Sequence, residues 1–202
     1  MPSANRVQLD GRFGTLPARG ALMGNRGCLH DADGGIRRRY ATKGWITCTL
    51  REKPGRGAHP FPVPGRWTPL FFLDEAVACA AGHRPCAECR RAVYNDFRAA
   101  WGRAFRSIPK AAEMDAVLHV ARLGPPWTAV PDDLPPGAVF VWHGKPWLQG
   151  DGHALPCLGT GYGAPFPAPR TPAEMLTPQP MVAVMRAGWR PVMAKGDDRP
   201  NW

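Results

Sequence analysis

The chain has 202 residues, 44% of them hydrophobic, which is enough for one ordinary domain or two small ones with a buried core. No run approaches the roughly 18 apolar residues of a membrane-spanning helix, and the first residues lack the apolar core of a secretion signal. We therefore expect a cytoplasmic protein without a membrane partner. In that compartment its six cysteines stay reduced and serve as metal ligands or as buried apolar side chains.

Positive charge is concentrated in the first half of the chain. The formal net charge is +10, and residues 1–110 carry 19 Lys and Arg against 8 Asp and Glu, whereas the remaining residues carry 7 against 8. A basic half favours a polyanionic partner such as nucleic acid. A solubilising surface, with arginines that neutralise metal-bound thiolates, explains the same charge.

The amino-terminal elements are predicted to be short. Residues 1–19 have no periodic pattern and are interpreted as an extended arm. A strand or hairpin is predicted within residues 36–50, which mix β-branched and aromatic side chains, and a second strand is predicted at WTPLFF, residues 67–72. Asp74 is expected to cap a helix that ends at Gly82.

Three further helices and a β-rich region follow. One helix is predicted directly after Cys86, one over residues 113–123, and a last one from Thr177-Pro178 to Gly188. Residues 123–137 are rich in Pro and Gly and are interpreted as a linker. Short strands with glycine turns are expected beyond it.

Two cysteines two residues apart, Cys86 and Cys89, lie at a turn that enters a helix. Such a pair can direct two thiolates at one Zn²⁺ ion. The upstream candidates for the remaining ligands are Cys28, His30, Cys48 and His59. We select Cys48 as the third ligand, because the end of a strand can present it to the helix, and His30 as the fourth, with Cys28 as the alternative.

Two other uses of this cysteine pair fit the sequence less well. A thioredoxin-like redox pair would follow the central strand of a βαβ unit, whereas here a capped helix precedes it. A zinc deaminase shares the Pro-Cys-x-x-Cys sequence, but it also requires His-x-Glu, and none of the six histidines is followed by Glu at that spacing.

Three stretches in order, GNRGCLH (24–30), WITC (45–48) and LFFLDEAVACAAGHRPCAEC (70–89), resemble the zinc-binding N-terminal domain of the Ada DNA-repair protein. The similarity covers roughly residues 20–105 and is closest to bacterial stand-alone proteins that carry this module. It implies a Zn²⁺ held by Cys48, Cys86, Cys89 and one upstream ligand, with DNA as the partner.

The Ada domain also accepts a methyl group from a DNA phosphotriester. The accepting zinc-bound cysteine lies four positions before the next cysteine ligand, and here that position is Gly44. The resemblance therefore implies methyl transfer only if Cys28, and not His30, binds the metal.

Nucleic acid is predicted to contact the basic half. The predicted contacts are Asn25, Arg26, Arg37, Arg38, Arg39, Lys43, Arg84, Arg90 and Arg91. The last three arginines are also expected to donate hydrogen bonds to the metal-bound sulfurs.

Three polar residues, Asp115, His119 and Arg122, share one face of the third helix. A carboxylate that orients a histidine beside an arginine can act as a general base on a phosphodiester, which predicts a nuclease. A solvated, salt-bridged helix face is the alternative.

The sequence thus predicts an α+β fold. A zinc-stabilised module of sheet and helices occupies residues 20–122, and a small β-rich region with a closing helix occupies residues 138–202. The predicted function is zinc-dependent binding of DNA or RNA. The alternatives are a phosphodiesterase, an Ada-type repair enzyme, or a scaffold for another protein.

Overall fold

The fold is α+β, as the sequence predicts. A computed structural model describes residues 4–16, 19–50, 63 and 65–194. In these ranges it contains four α-helices and two six-stranded sheets.

The first sheet belongs to the amino-terminal half. Its strands are β1 (Arg6–Val7), β2 (Phe13–Gly14), β3 (Leu22–Asn25), β4 (Ile46–Cys48), β5 (Leu70–Phe72) and β6 (Arg84–Pro85). They lie in the order β2-β1-β5-β3-β4-β6. Most neighbours are antiparallel, but β1 pairs with β5 and β4 pairs with β6 in parallel.

The second sheet belongs to the carboxyl-terminal half. Its strands are β7 (Thr128–Ala129), β8 (Val139–Trp142), β9 (Lys145–Gln149), β10 (His153–Pro156), β11 (Phe166–Pro167) and β12 (Ala173–Met175). They lie in the order β11-β10-β9-β8-β12-β7, and every pairing is antiparallel.

The helix α1 (Glu75–Ala80) lies between the two sheets, and all six of its residues are buried. Asp74 caps its start by accepting a hydrogen bond from the backbone N–H of Val77. After the helix ends, Gly82 turns the chain by adopting the left-handed conformation at φ +80°. One face packs with the first sheet and the other with the second. Apart from Glu75, its side chains are apolar, as is expected of a helix buried between two sheets.

The other three helices are longer than α1. They are α2 (Arg91–Phe105), α3 (Ala111–Leu123) and α4 (Gln179–Arg186). Both α2 and α3 contact α4, and α2 also contacts β6. Their apolar faces form the largest core cluster together with the second sheet.

Two segments predicted to be irregular contribute strands. Residues 6–7 and 13–14 of the predicted arm form the edge of the first sheet, and Thr128–Ala129 of the predicted linker pairs with β12. Strands of two residues are too short to give the alternating pattern on which strand prediction depends. In the described part of the chain, no helix has the length and apolar character needed to cross a bilayer.

Candidate metal centre

The described structure brings three cysteines together at one end of the first sheet. Cys48 ends β4, Cys86 directly follows β6, and Cys89 lies in the turn before α2. Because β4 and β6 are parallel neighbours, Cys48 and Cys86 leave the same end of the sheet. The ladder continues to this point, where the N–H of Cys86 donates to the carbonyl oxygen of Thr47 at 2.9 Å. The three Sγ atoms lie within 4.8 Å of one another.

Backbone amides point at these sulfurs. The N–H of Glu88 donates to Cys86 Sγ at 3.4 Å, and the N–H of Cys89 donates to the same sulfur. The N–H of Thr49 donates to Cys89 Sγ. Hydrogen bonds of this kind stabilise thiolates and orient them as metal ligands.

The protonation of each of the three thiols affects the pKa of the others. A hydrogen bond from Cys48 lowers the pKa of Cys86 to about 5, with help from the amides of Cys89 and Glu88. The same contact with Cys86, together with burial, raises the pKa of Cys48, and burial raises the pKa of Cys89. Three sulfurs this close do not all ionise without a compensating positive charge, so the cluster can hold a metal cation.

His30 is not part of the cluster, contrary to the prediction. Its Nδ1 lies 2.6 Å from Thr68 Oγ1, and its Nε2 lies 3.1 Å from the carbonyl oxygen of Val63. Both ring nitrogens therefore lie beside polar groups of the chain. The histidine is buried and contacts the segment that precedes β5.

Cys28 also lies apart from the three sulfurs. The register of the antiparallel β3–β4 pair sets Met23 opposite Cys48, so Cys28 follows the opposite end of this strand pair. Its sulfur lies 3.9 Å from the carbonyl oxygen of His30. The remaining upstream candidate, His59, is outside the described residues.

Arg90 links the candidate metal centre to the carboxyl-terminal half. Its Nη1 lies 2.5 Å from Glu75 Oε1 and donates to Thr47 Oγ1 at 2.8 Å, and its side chain is only 8% exposed. Glu75 Oε2 in turn accepts a hydrogen bond from the N–H of Val192 at 3.0 Å. The arginine that follows Cys89 is therefore a buried structural residue, which corrects its assignment to the nucleic-acid surface.

The predicted catalytic group does not assemble. Both carboxylate oxygens of Asp115 accept hydrogen bonds from Arg84, at 2.8 Å each, so Asp115 pairs with this arginine and not with His119. Arg122 Nη2 lies 3.0 Å from His119 Nδ1 and also donates to the carbonyl oxygen of Lys43. These contacts fix α3 on the first sheet, and Arg84, which is 4% exposed, is not a surface cation.

Trp45 is the centre of a buried basic cluster. The Cζ atoms of Arg26 and Arg122 each lie 3.9 Å from the centroid of its ring. Burial is the main reason that the pKa of both arginines falls to about 9. Arg26 is completely buried, so its side chain is not part of the exposed basic surface in this conformation.

Other predicted contacts remain on the surface. The exposed cations among them are Arg37, Arg38, Arg39, Lys43 and Arg91. Arg37 is paired with Asp31, whereas Asn25 is half-buried and accepts a hydrogen bond from the N–H of Gly27.

Sequence reasoning missed the ion-pair partners of the predicted residues. Glu75 and Asp115 are separated from their arginines by 15 and 31 positions. No spacing rule connects residues on different elements. The sequence signal is weak: Asp115 lies between Met114 and Ala116, and Glu75 is followed by an apolar run.

The chain matches no known protein family, no curated protein and no solved structure. Its function must therefore be inferred from its residues and their geometry.

Proposed function

We propose that Cys48, Cys86 and Cys89 bind a Zn²⁺ ion that stabilises the amino-terminal half. The observation that carries this proposal is the convergence of the three sulfurs within 4.8 Å. Thiolates select Zn²⁺ among the common divalent cations, and structural zinc sites are tetrahedral. The ion would join β4, β6 and the start of α2, and the similarity to Ada-type zinc domains supports the same three ligands.

Metal content tests the ligand set. The purified wild-type chain is expected to retain about one zinc per molecule after dialysis, whereas Cys48→Ser and Cys89→Ser are expected to lose it. Cys28→Ser and Cys157→Ser are matched controls that remove a thiol elsewhere and should retain the metal. A His59→Ala variant tests the one upstream candidate that lies outside the described residues.

Cobalt substitution gives a second measure. Thiolate-to-cobalt charge-transfer absorption in the near ultraviolet should decrease in Cys48→Ser and remain unchanged in Cys28→Ser. Equal absorption in these two variants, or zinc retained by Cys48→Ser, would contradict the proposal.

The second part of the proposed function is binding of DNA or RNA. It is supported by the charge of the amino-terminal half and by the exposed cations of residues 37–43 and Arg91. In the described chain, Arg38, Arg39 and Lys43 form no salt bridge, so their charges are available to phosphate groups. The metal would hold the sheet that carries this surface.

Mobility shifts at about 50 and 200 mM salt test the binding, because contacts to phosphate weaken steeply with salt. A double variant, Arg38→Gln with Lys43→Gln, should bind less tightly, whereas Arg170→Gln with Arg186→Gln removes the same charge from the other half and should bind normally. No binding at low salt, or binding that does not respond to salt, argues against a nucleic-acid partner.

A further inference from the structure

Arg26 is the most deeply buried cation in the described chain, and one of its nitrogens lacks a partner. Its Nε donates to His83 Nε2 at 3.1 Å, and its Nη1 donates to the carbonyl oxygen of Gly11 at 2.9 Å. Its Nη2 is buried and has no hydrogen-bond partner among the described residues. A buried charged donor without an acceptor is costly, so such a group is often part of a binding site.

A second guanidinium faces the same place. A Cβ atom added to Gly11 would lie 3.5 Å from Arg26 Nη2 and 3.8 Å from Arg39 Nη2. The two Nη2 atoms therefore both lie on the Cβ side of Gly11, and the distance between them is at most the sum of these two values, about 7.3 Å. Gly11 has φ +79°, which favours glycine, so no side chain stands between the two guanidinium groups and the backbone here.

The two like charges have no shared counter-ion in the described residues. The nearby acids are already paired: Asp10 with Arg12, Asp31 with Arg37, and Asp115 with Arg84.

The neighbouring positive charges also act on the pKa of Arg26. Its pKa is lowered by burial and then by the charges of Arg39 and Arg122. The one carboxylate that acts on this group, Asp115, is bonded to Arg84 and raises the pKa of Arg122. An oxyanion that accepts hydrogen bonds from both Arg26 and Arg39 would supply the missing negative charge on their side.

We propose that Arg26 and Arg39 bind an oxyanion of the size of phosphate beside Gly11. Arg39 is exposed, whereas Arg26 Nη2 has no exposed surface, so the anion enters as the Arg39 side chain swings outward. Arg26 is held by Trp45, His83 and backbone oxygen and does not move. The ligand is inorganic phosphate or a terminal phosphate group, and the proposal requires neither the metal nor the nucleic-acid surface.

Thermal unfolding and calorimetric titration of the metal-loaded chain with inorganic phosphate test this site. Phosphate should raise the melting temperature above that in chloride at equal ionic strength and pH, and the effect should saturate. Arg39→Gln should weaken phosphate affinity at least tenfold. Arg12→Gln is the control, because it removes an exposed charge next to Gly11 and should leave the affinity unchanged.

Several results would overturn the site. They are the absence of a phosphate effect, an unchanged affinity in Arg39→Gln, or an equal loss in Arg12→Gln, which would indicate general electrostatic attraction. These measurements contain no nucleic acid, so their failure is distinct from a failed mobility shift.

Oligonucleotides with and without a 5′-phosphate identify the source of the anion. Tighter binding of the phosphorylated form, lost in Arg39→Gln, assigns the site to a nucleic-acid end. A response to inorganic phosphate with no difference between the two oligonucleotides assigns it to free phosphate or a small phosphate ester. Both results support the oxyanion site, whereas binding of oligonucleotides alone, independent of the terminal phosphate, contradicts it.

Discussion

Arg84 holds Asp115 through two parallel hydrogen bonds of 2.8 Å, from its Nε and Nη2 to the two carboxylate oxygens. The side chains are 5% and 11% exposed. Arg84 belongs to β6 and Asp115 to α3, so the pair joins the helix to the edge strand of the first sheet. Cys86 lies two residues beyond Arg84, which places this pair next to the candidate metal centre.

The first prediction is that Asp115→Asn lowers the free energy of unfolding by about 3–5 kcal/mol, because the buried Arg84 loses its counter-charge. Urea denaturation measures the change. Asp132→Asn is the control, since it breaks the exposed pair with Arg170 at 3.1 Å and should cost less than about 1 kcal/mol. Equal effects of the two substitutions would show that the buried pair has no special role.

The second prediction concerns Arg90, which follows Cys89, forms an ion pair with Glu75 and donates a hydrogen bond to Thr47. Arg90→Met keeps an unbranched apolar stem but removes the guanidinium, which leaves Glu75, 2% exposed, without a cation. Metal affinity should fall by about 10–100-fold, as it does when a residue that supports a ligand is lost. Competition with a chelator measures this.

Arg91→Met is the matched control for Arg90, because Arg91 is the next residue and is exposed. Its metal affinity should equal that of the wild type. An equal loss in both variants would assign the effect to total charge and not to the buried contact.

The helices could be predicted well because their signals are local. Asp74 precedes the apolar run of α1, and Gly82 takes the positive φ that ends it. The start of α2 was the exception, since residues 86–90 form a turn and the helix begins at Arg91. That turn is what directs Cys86 and Cys89 toward Cys48.

The cysteine cluster of the candidate metal centre could be predicted only in part. Cys86 and Cys89 are close in the sequence, and Cys48 was found because it ends a recognisable strand. His30 and Cys28 were misplaced because the register between β3 and β4 is not visible in the sequence, and it sets Met23, not a later residue, opposite Cys48. Burial of Arg26 and Arg84 was equally hidden, since a basic composition does not separate surface cations from buried ones.

The third prediction is that Gly24→Ala strongly destabilises the first sheet. Gly24 lies in β3, between β4 and β5, and an added Cβ would be 2.1 Å from the carbonyl oxygen of Ile46 and 2.9 Å from Phe72 Cε2. Because the first contact is with backbone, the strands must separate, and we expect a loss of about 3 kcal/mol. Thermal or urea unfolding measures it.

Gly161→Ala is the control for this substitution. A Cβ added there would meet no atom within 4 Å, and the position does not have a positive φ. We expect a change within about 0.5 kcal/mol. If Gly24→Ala changed the stability as little as Gly161→Ala does, the result would contradict the close contact between β3 and β4 at Gly24.

The fourth prediction concerns the titration of His119. Burial, then the charges of Arg122 and Lys43, lower the pKa of His119 below its ordinary value of 6.5. Arg122 donates to Nδ1, so the neutral ring carries its proton on Nε2. An NMR titration should give a midpoint below 6.5, and Lys43→Gln should raise it, whereas Lys145→Gln on the second sheet should have no effect.

The direction of the pH effect on stability follows from this shift. The folded chain binds the His119 proton less tightly than the unfolded chain does, so the free energy of unfolding falls as the pH drops from about 6.5 to the folded pKa. Above 6.5 the histidine is neutral in both states and contributes no pH dependence. A midpoint above 6.5 would instead indicate that a carboxylate stabilises the charged ring. It would favour the predicted pairing of His119 with Asp115 over the observed pairing of Asp115 with Arg84.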